Sequence, residues 1–389
     1  MCSRCVPRKW YSFDSMYWLK KGMLWACLYS VMISLIIYTV LKSLSQNQVV
    51  HHERSEDCKL GHVFVGEENT TDTVQTTEQA PESDGYLSVI DDKPLRYHCE
   101  QCALVTSSGR LLDKGAGYDI DRGVCVIRMN TAPTEGYEED VGSTTTIRVV
   151  GHTNMNRVLK KQPDLQKTFF EDEKTRANIV IVPWLFYEDF SKEKDESFLV
   201  TKEFSTLYPN VSFYYTTPNK VKLAEEIFMN ETGITRKAAR TWLSTGWMTM
   251  LFAIDICDWI DVYGLVNDDY CKAHPNDTTP YHYYADNSKK ECWYYDRSEN
   301  TVLYGHKFLT EKAIFARWAK KVSIYFHYPS WEGVVTNGKH VDTPFLKLYD
   351  ESKKNGKLRK VEQAEMMKKR IAARRAYLEK RRKMKKKKG

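Results

Sequence analysis

Beyond the first 21 residues no second C-x-x-C, and nowhere a pair of histidines at ligand spacing, accompanies Cys99 and Cys102. Neither a zinc site nor a thioredoxin-like redox centre is therefore expected from that pair. No internal repeat is present, which sets repeat architectures aside. An excess of basic charge is lacking outside the C-terminus. The formal net charge is +7, but residues 353–389 hold 18 of the 58 Lys and Arg and only 3 of the 51 Asp and Glu, so the chain before them is net −8. A chain-wide nucleic-acid footprint is excluded, and no nucleic-acid partner is expected.

Charge of either sign is absent from Gly22 to Leu41. Twenty such residues reach about 30 Å as a helix, one hydrocarbon thickness. Arg4, Arg8, Lys9, Lys20 and Lys21 precede the run and Lys42 follows it, which places the short N-terminus in the cytoplasm and the bulk of the chain in the lumen. The run is longer than a signal-peptide core and no A-x-A-like cleavage site follows, so a retained membrane anchor is expected.

What remains is enough for one large domain with accessory segments: 389 residues, 42% apolar and 13% aromatic. The expected division is a cytoplasmic tail at 1–21, the anchor at 22–41, a stem at 42–84, a lumenal domain at 85–335 and a basic tail at 336–389. The stem is rich in Thr, Glu, Gln, Asp and Ser, with too little apolar content to bury a core. Sequons at Asn69, Asn210, Asn230 and Asn276 fit lumenal exposure. The seven cysteines beyond the anchor lie in a compartment that permits disulfides, and spacing does not give their connectivity.

Short apolar runs predict strands at 103–106, 124–129, 145–150, 179–182, 211–216, 261–265 and 323–327. Helices are expected at 155–161, 192–208, 221–231, 248–258 and 309–321. Strand-then-helix alternation predicts an α/β domain with a mainly parallel sheet and helices on both faces.

Two turns have the chemistry of an anion site. Ala103–Gly109 (ALVTSSG) runs a strand into Ser107, Ser108 and Gly109, where hydroxyls, backbone N–H groups and close backbone approach coincide. Leu243–Gly246 (LSTG) opens an amphipathic run, placing Ser244 and Thr245 at a helix N-terminus. Serine and threonine are also ordinary caps, so each turn alone leaves a structural reading open.

The stretch Cys99–Val150, with its I-D, R-M-N-x-A-P and D-V-G elements, resembles the large sialylmotif of eukaryotic and viral sialyltransferases. Thr241–Val266 looks like the small motif. Tyr281–Tyr284 (YHYY) resembles the third, and His306 with Glu311 matches the H-x-x-x-x-E of the very small motif. All four stand in the family's order, within residues 85–331. The wording is closest to enzymes that sialylate N-acetylgalactosamine in α2,6 linkage.

The resemblance implies a single Rossmann-like, GT-A-like domain in a Golgi type II membrane protein, lumenal in its catalytic part. It implies transfer of sialic acid from CMP-sialic acid, with inversion and without a metal or other cofactor, to GalNAc of an O-glycan or glycolipid. Ser107, Ser108, Gly109 and Asn130 are assigned to the cytidine and phosphate end of the donor. Ser244, Thr245 and Gly246 are assigned to its ribose, phosphate or carboxylate. His306 is the implied base and His282 the phosphate partner, with Tyr283 nearby and Glu311 supporting. The implied disulfides are Cys102–Cys257 and Cys271–Cys292; a pair between the remaining Cys99 and Cys125 is expected, which leaves Cys58 over in the stem. Histidine suits both the base and the phosphate role near neutral pH. Asp119 and Asp121 resemble a D-x-D metal motif, but the donor is a monophosphate, so both are read as structural.

The sequence departs from the family after Tyr284, where Ala285 and Asp286 replace the usual Glu, and over 183–203, which matches poorly. The tail from Lys353 has helix-forming composition and an extreme basic run, read as solvated or as an electrostatic contact with acidic glycans or lipid. Competing readings are a sialyltransferase of α2,3 or α2,8 linkage and a catalytically silent type II glycoprotein. The silent protein would lack His306, His282 or the S-T-G turn; all are present.

Overall fold

The computed structural model describes residues 82–183, 190–285, 289–336 and 338–356, with scattered positions between 360 and 375. The expected anchor at 22–41, nearly all of the stem, Cys58, Asn69 and Asp286 lie outside these residues. Among the described residues no helix is long and apolar enough to cross a membrane.

Nine strands form one sheet among the described residues: β1 (Glu82–Ser88), β2 (Pro94–Arg96), β3 (Cys99–Val105), β4 (Cys125–Met129), β5 (Ile147–Val149), β6 (Ile179–Val182), β7 (Ser212–Thr216), β8 (Cys257–Tyr263) and β9 (Ile324–His327). Their order is β2-β1-β7-β6-β5-β4-β3-β8-β9. Strands β3 to β9 pair in parallel, while β1 pairs antiparallel with β7 and β2. The sheet is therefore mixed. The antiparallel pair was not expected, because β1 lies in polar sequence bordering the stem and β2 is a three-residue edge strand opening on Pro94.

Among the described residues, the helices of eight residues or more are α1 (Glu196–Leu207), α2 (Pro218–Thr232), α3 (Thr245–Ile256), α4 (Glu291–Glu299), α5 (Phe308–Trp318) and α6 (Pro344–Lys354). Caps set their starts. Asp195, Thr217, Ser244 and Thr343 each accept a backbone N–H of the first turn, and Pro218 and Pro344 occupy the first positions of α2 and α6. The Asp195 cap explains why α1 begins four residues after the expected Lys192. The expected 248–258 helix instead starts at Thr245 and gives way to β8 at Cys257.

Side chains alternate across the central strands. Cys102, Leu104, Ile127 and Val262 face the larger core, whereas Ala103, Val105, Val126 and Tyr263 face a smaller one with Leu111, Ile120 and Tyr283. Helix α3 packs on β3 and β4 and buries nine of its residues, as a helix apolar on every side must.

The domain boundary expected at 335 is too early. Val341, Phe345 and Leu346 belong to the larger core. Thr343 Oγ1 meets Thr310 Oγ1 at 2.8 Å, and the Val341 N–H donates to the Glu231 carbonyl at 2.9 Å. The basic composition that follows hid this apolar turn.

The chain leaves β3 for β4 on one side and, after β7, returns to β8 on the other. In an open α/β sheet such a reversal places a crevice at the carboxyl ends of the strands, where ligands bind.

Candidate active site

The turn after β3 carries the first cluster. Thr106 Oγ1 donates to the Gly264 carbonyl at 3.0 Å, anchoring the turn to the end of β8. Ser107 Oγ pairs with His282 Nδ1 at 2.9 Å, and the Ser107 carbonyl accepts the Tyr283 N–H at 3.0 Å. The Gly109 N–H donates to the Pro280 carbonyl at 3.1 Å. A β-carbon at Gly109 would lie 2.5 Å from Pro280 Cγ and 2.7 Å from its carbonyl oxygen, so only glycine permits this approach. The His282 ring stacks on Tyr284 at 5.1 Å between centroids. Burial lowers the His282 pKa, and among the described residues its Nε2 has no partner.

Two hydroxyls assigned to the donor are turned inward. Ser108 is buried and donates to Glu291 Oε1 at 2.7 Å. Tyr283 is buried, donates to the Pro133 carbonyl, and has its pKa pushed up to about 12 by burial.

The second cluster lies past β4 and β5. Asn130 adopts φ +49° and accepts the Gly151 N–H on Oδ1 at 3.0 Å, which leaves its Nδ2 free among the described residues. A β-carbon at Gly151 would sit 2.8 Å from Thr245 Oγ1 and 3.4 Å from Asn130 Oδ1, so the first turn of α3 closes against Asn130 across a glycine. Beneath it, fully buried Arg148 donates through Nη1 to the Asn130 and Ala132 carbonyls, both at 3.0 Å.

Ser244 caps α3 by accepting the Trp247 N–H at 3.0 Å. Its own N–H donates to Glu311 Oε1 at 2.9 Å, and its hydroxyl donates to Glu311 Oε2. The Thr245 and Gly246 N–H groups then have no partner among the described residues and stand at the positive end of a 12-residue helix. Burial drives the Glu311 pKa up to about 8, so this carboxyl holds its proton at neutral pH.

His306 is tied to the segment leading into α3. Trp242 donates its N–H to the Gly305 carbonyl at 3.1 Å, and Trp242 O lies 2.8 Å from His306 Nδ1. A carbonyl only accepts, so Nδ1 carries the proton and Nε2 keeps its lone pair. Burial lowers the His306 pKa, favouring the neutral ring. His152, which follows Gly151, is a further titratable group here, and burial lowers its pKa.

Disulfides join Cys99 to Cys125, Cys102 to Cys257 and Cys271 to Cys292. The first two crosslink β3 to β4 and β8, and the third closes the loop that carries His282. Asp121 accepts the Ser143 and Thr144 N–H groups at 2.8 to 3.0 Å, and Asp119 meets Tyr328 at 3.4 Å. Asn210, Asn230 and Asn276 are exposed.

Sequence reasoning missed Glu291, Arg110, Gly151 and Trp242. Glu291 and Arg110 lie 181 residues apart, and Trp242 acts through its backbone, so no local pattern announces them.

Residues 43–323 match the sequence profile of glycosyltransferase family 29 (sialyltransferase). The chain is 41% identical over 250 residues to human alpha-N-acetylgalactosaminide alpha-2,6-sialyltransferase 3, covering 64% of this chain and 79% of that protein. It is 39% identical over 249 residues to human alpha-N-acetyl-neuraminyl-2,3-beta-galactosyl-1,3-N-acetyl-galactosaminide alpha-2,6-sialyltransferase, covering 64% and 80%. Against the mouse alpha-N-acetylgalactosaminide alpha-2,6-sialyltransferase 6, identity is 37% over 251 residues, covering 64% and 73%. A crystal structure of a mammalian sialyltransferase aligns with 61% of this chain and 70% of its own at 21% identity and a TM-score of 0.34. Because the family profile spans most of the chain, the protein belongs to glycosyltransferase family 29, the sialyltransferases.

Proposed function

We propose that this sialyltransferase moves sialic acid from CMP-sialic acid, with inversion, to the 6-hydroxyl of N-acetylgalactosamine in an O-glycan or ganglioside. Membership of the family implies the donor and a glycan acceptor. The finer reading is supported by relatives whose names specify α2,6 transfer to N-acetylgalactosaminide.

The observation that carries the mechanism is the protonation geometry of His306. With Nδ1–H held by the Trp242 carbonyl, Nε2 is a free base on a ring that burial keeps neutral. Nε2 takes the proton of the acceptor hydroxyl as that oxygen attacks C2 of the sialic acid. The bond from C2 to the phosphate oxygen breaks, and CMP leaves with the electron pair. His282 Nε2 and the Thr245 and Gly246 N–H groups receive the charge that grows on the phosphate. An anion beside His282 favours its protonated form, offsetting the effect of burial. Ser107 orients His282, Glu311 fixes Ser244, and the Asn130 amide offers its free N–H donors to the nucleotide. The reaction needs no metal in this reading. Residues 22–41 anchor the protein in the Golgi membrane with the GT-A-like domain in the lumen.

The test is product analysis with detergent-solubilised full-length protein, CMP-sialic acid, EDTA and a panel of O-glycan and ganglioside acceptors. Sialic acid is expected on O6 of GalNAc, and His306→Ala should lower turnover by about 10² to 10⁴ while donor binding survives. Product at another position overturns the linkage. No product from folded protein overturns the enzyme reading in favour of a silent glycoprotein.

A further inference from the structure

One fully buried carboxylate has no place in the transfer chemistry above. Glu291 opens α4 beside Cys292 and is wholly inaccessible. Its Oε1 accepts the Ser108 hydroxyl at 2.7 Å and the Tyr295 hydroxyl at 2.8 Å. Its Oε2 accepts Arg110 Nε at 2.9 Å. Arg110 in turn reaches Asp277 at 2.5 Å and the Tyr270 hydroxyl at 2.9 Å, with Tyr270 under its guanidinium at 4.3 Å. One carboxylate thus joins the T-S-S-G turn after β3 to the disulfide-closed loop that presents His282.

We propose that Glu291 is a positioning residue for His282: through Ser108 and Arg110 it holds Ser107 in register with the imidazole, and its negative charge faces that imidazole from behind. The inference rests on the reading of His282 as the partner of the donor phosphate. A buried ionised group is costly unless paired and hydrogen-bonded. The Arg110 guanidinium at 2.9 Å supplies that pairing, so the carboxylate can stay charged while it braces the turn. The groups facing Glu291 are Ser108, Arg110, Tyr295, Tyr281 and the Lys312 ammonium, which lies over the Tyr295 ring at 4.5 Å. Those facing His282 are Ser107, the rings of Tyr281 and Tyr284, and, as its charged neighbour, Glu291. Glu291 raises the His282 pKa against the lowering effect of burial. The imidazole then takes up a proton more readily as a phosphate arrives.

Glu291→Gln keeps the shape and removes the charge. In full-length protein, selective imidazole labelling followed by NMR titration reads His282 directly, whether or not transfer is observed. The His282 midpoint is expected to fall by a few tenths to about one pH unit, and the alkaline limb of kcat/KM for the donor should fall with it. A brace without an electrostatic role predicts no movement; an unmoved titration in folded Glu291→Gln overturns the proposal. A shifted titration without transfer to any acceptor keeps this inference and condemns the functional reading instead. Should Glu291→Gln fail to fold, Ser108→Ala keeps the carboxylate and severs only its bond to the turn. Donor KM should then rise about two- to ten-fold with acceptor KM unchanged, and an unchanged donor KM overturns the positioning role.

Discussion

Replacing Gly109 by alanine is the sharpest test of how the site is assembled, because two opposing effects meet there. Removing a glycine from a compatible position stabilises a protein by about 0.4–1 kcal/mol through the unfolded chain, and Gly109 has no positive φ to forbid alanine. Against that, the new methyl would lie 2.5 Å from Pro280 Cγ, 2.7 Å from Cδ and 2.7 Å from the carbonyl oxygen. Carbon atoms rest about 3.5–4.0 Å apart, so the loop must withdraw by about 1 Å. Overpacking of this kind costs about 1–3 kcal/mol, which exceeds the entropic gain. The loop that withdraws carries His282, and a 1 Å misplacement can cost about 10²-fold in rate. Gly109→Ala should therefore lose a few degrees of thermal stability and about two orders of magnitude in turnover, measured by thermal denaturation and by transfer from CMP-sialic acid. Unchanged or raised stability together with intact turnover would refute the claim that this contact holds His282 in place.

Glu311→Gln should flatten the pH dependence of stability. The folded pKa of Glu311 is raised to about 8 from a model-peptide value near 4.5, so its contribution is fully present below about pH 4.5 and is lost as pH rises through about 8. Between pH 5 and pH 8 the difference is on the order of 3–4 kcal/mol, read from denaturant unfolding of both proteins; identical slopes against pH would contradict it. Cys271→Ser with Cys292→Ser should cost about 2–5 kcal/mol and raise the donor KM, since the bridge closes the loop behind His282. A mutant with wild-type donor KM would show that the bridge is remote from function. Phe345→Ala should destabilise by about 3–5 kcal/mol and truncation after residue 335 should abolish folding, because Phe345 is fully buried in the larger core; a stable truncated domain would restore the earlier boundary.

Much of the sheet was legible because buried parallel strands read as short apolar runs. Ile179–Val182 is the clearest case, a strand with every residue buried and the bounds expected from sequence. The cap of α3 at Ser244 was legible from the same local chemistry. Helix α4 was not, since ECWYYDRSE has no clean apolar stripe and is held by a disulfide and by Glu291. Motif order brought the two histidines forward, but spacing could not show that Ser108 and Tyr283 turn inward. Their partners, Glu291 and the Pro133 carbonyl, are 183 and 150 residues away. Nor could it show which nitrogen of His306 is free, which depends on the Trp242 carbonyl 64 residues earlier.

The position of β3 has a consequence for biosynthesis. It is made early, yet one of its two flanks stays open until β8 exists, and its cysteine partner at 257 follows Cys102 by 155 residues. At about 5–20 residues per second, the interval between the two is about 8–30 s. Throughout that interval a nascent chain displays an apolar, unpaired strand edge to its surroundings, the kind of surface that recruits other strands. A ribosomal pause between residues 105 and 257 lengthens that exposure and should lower the yield of folded protein without altering any residue of the active site.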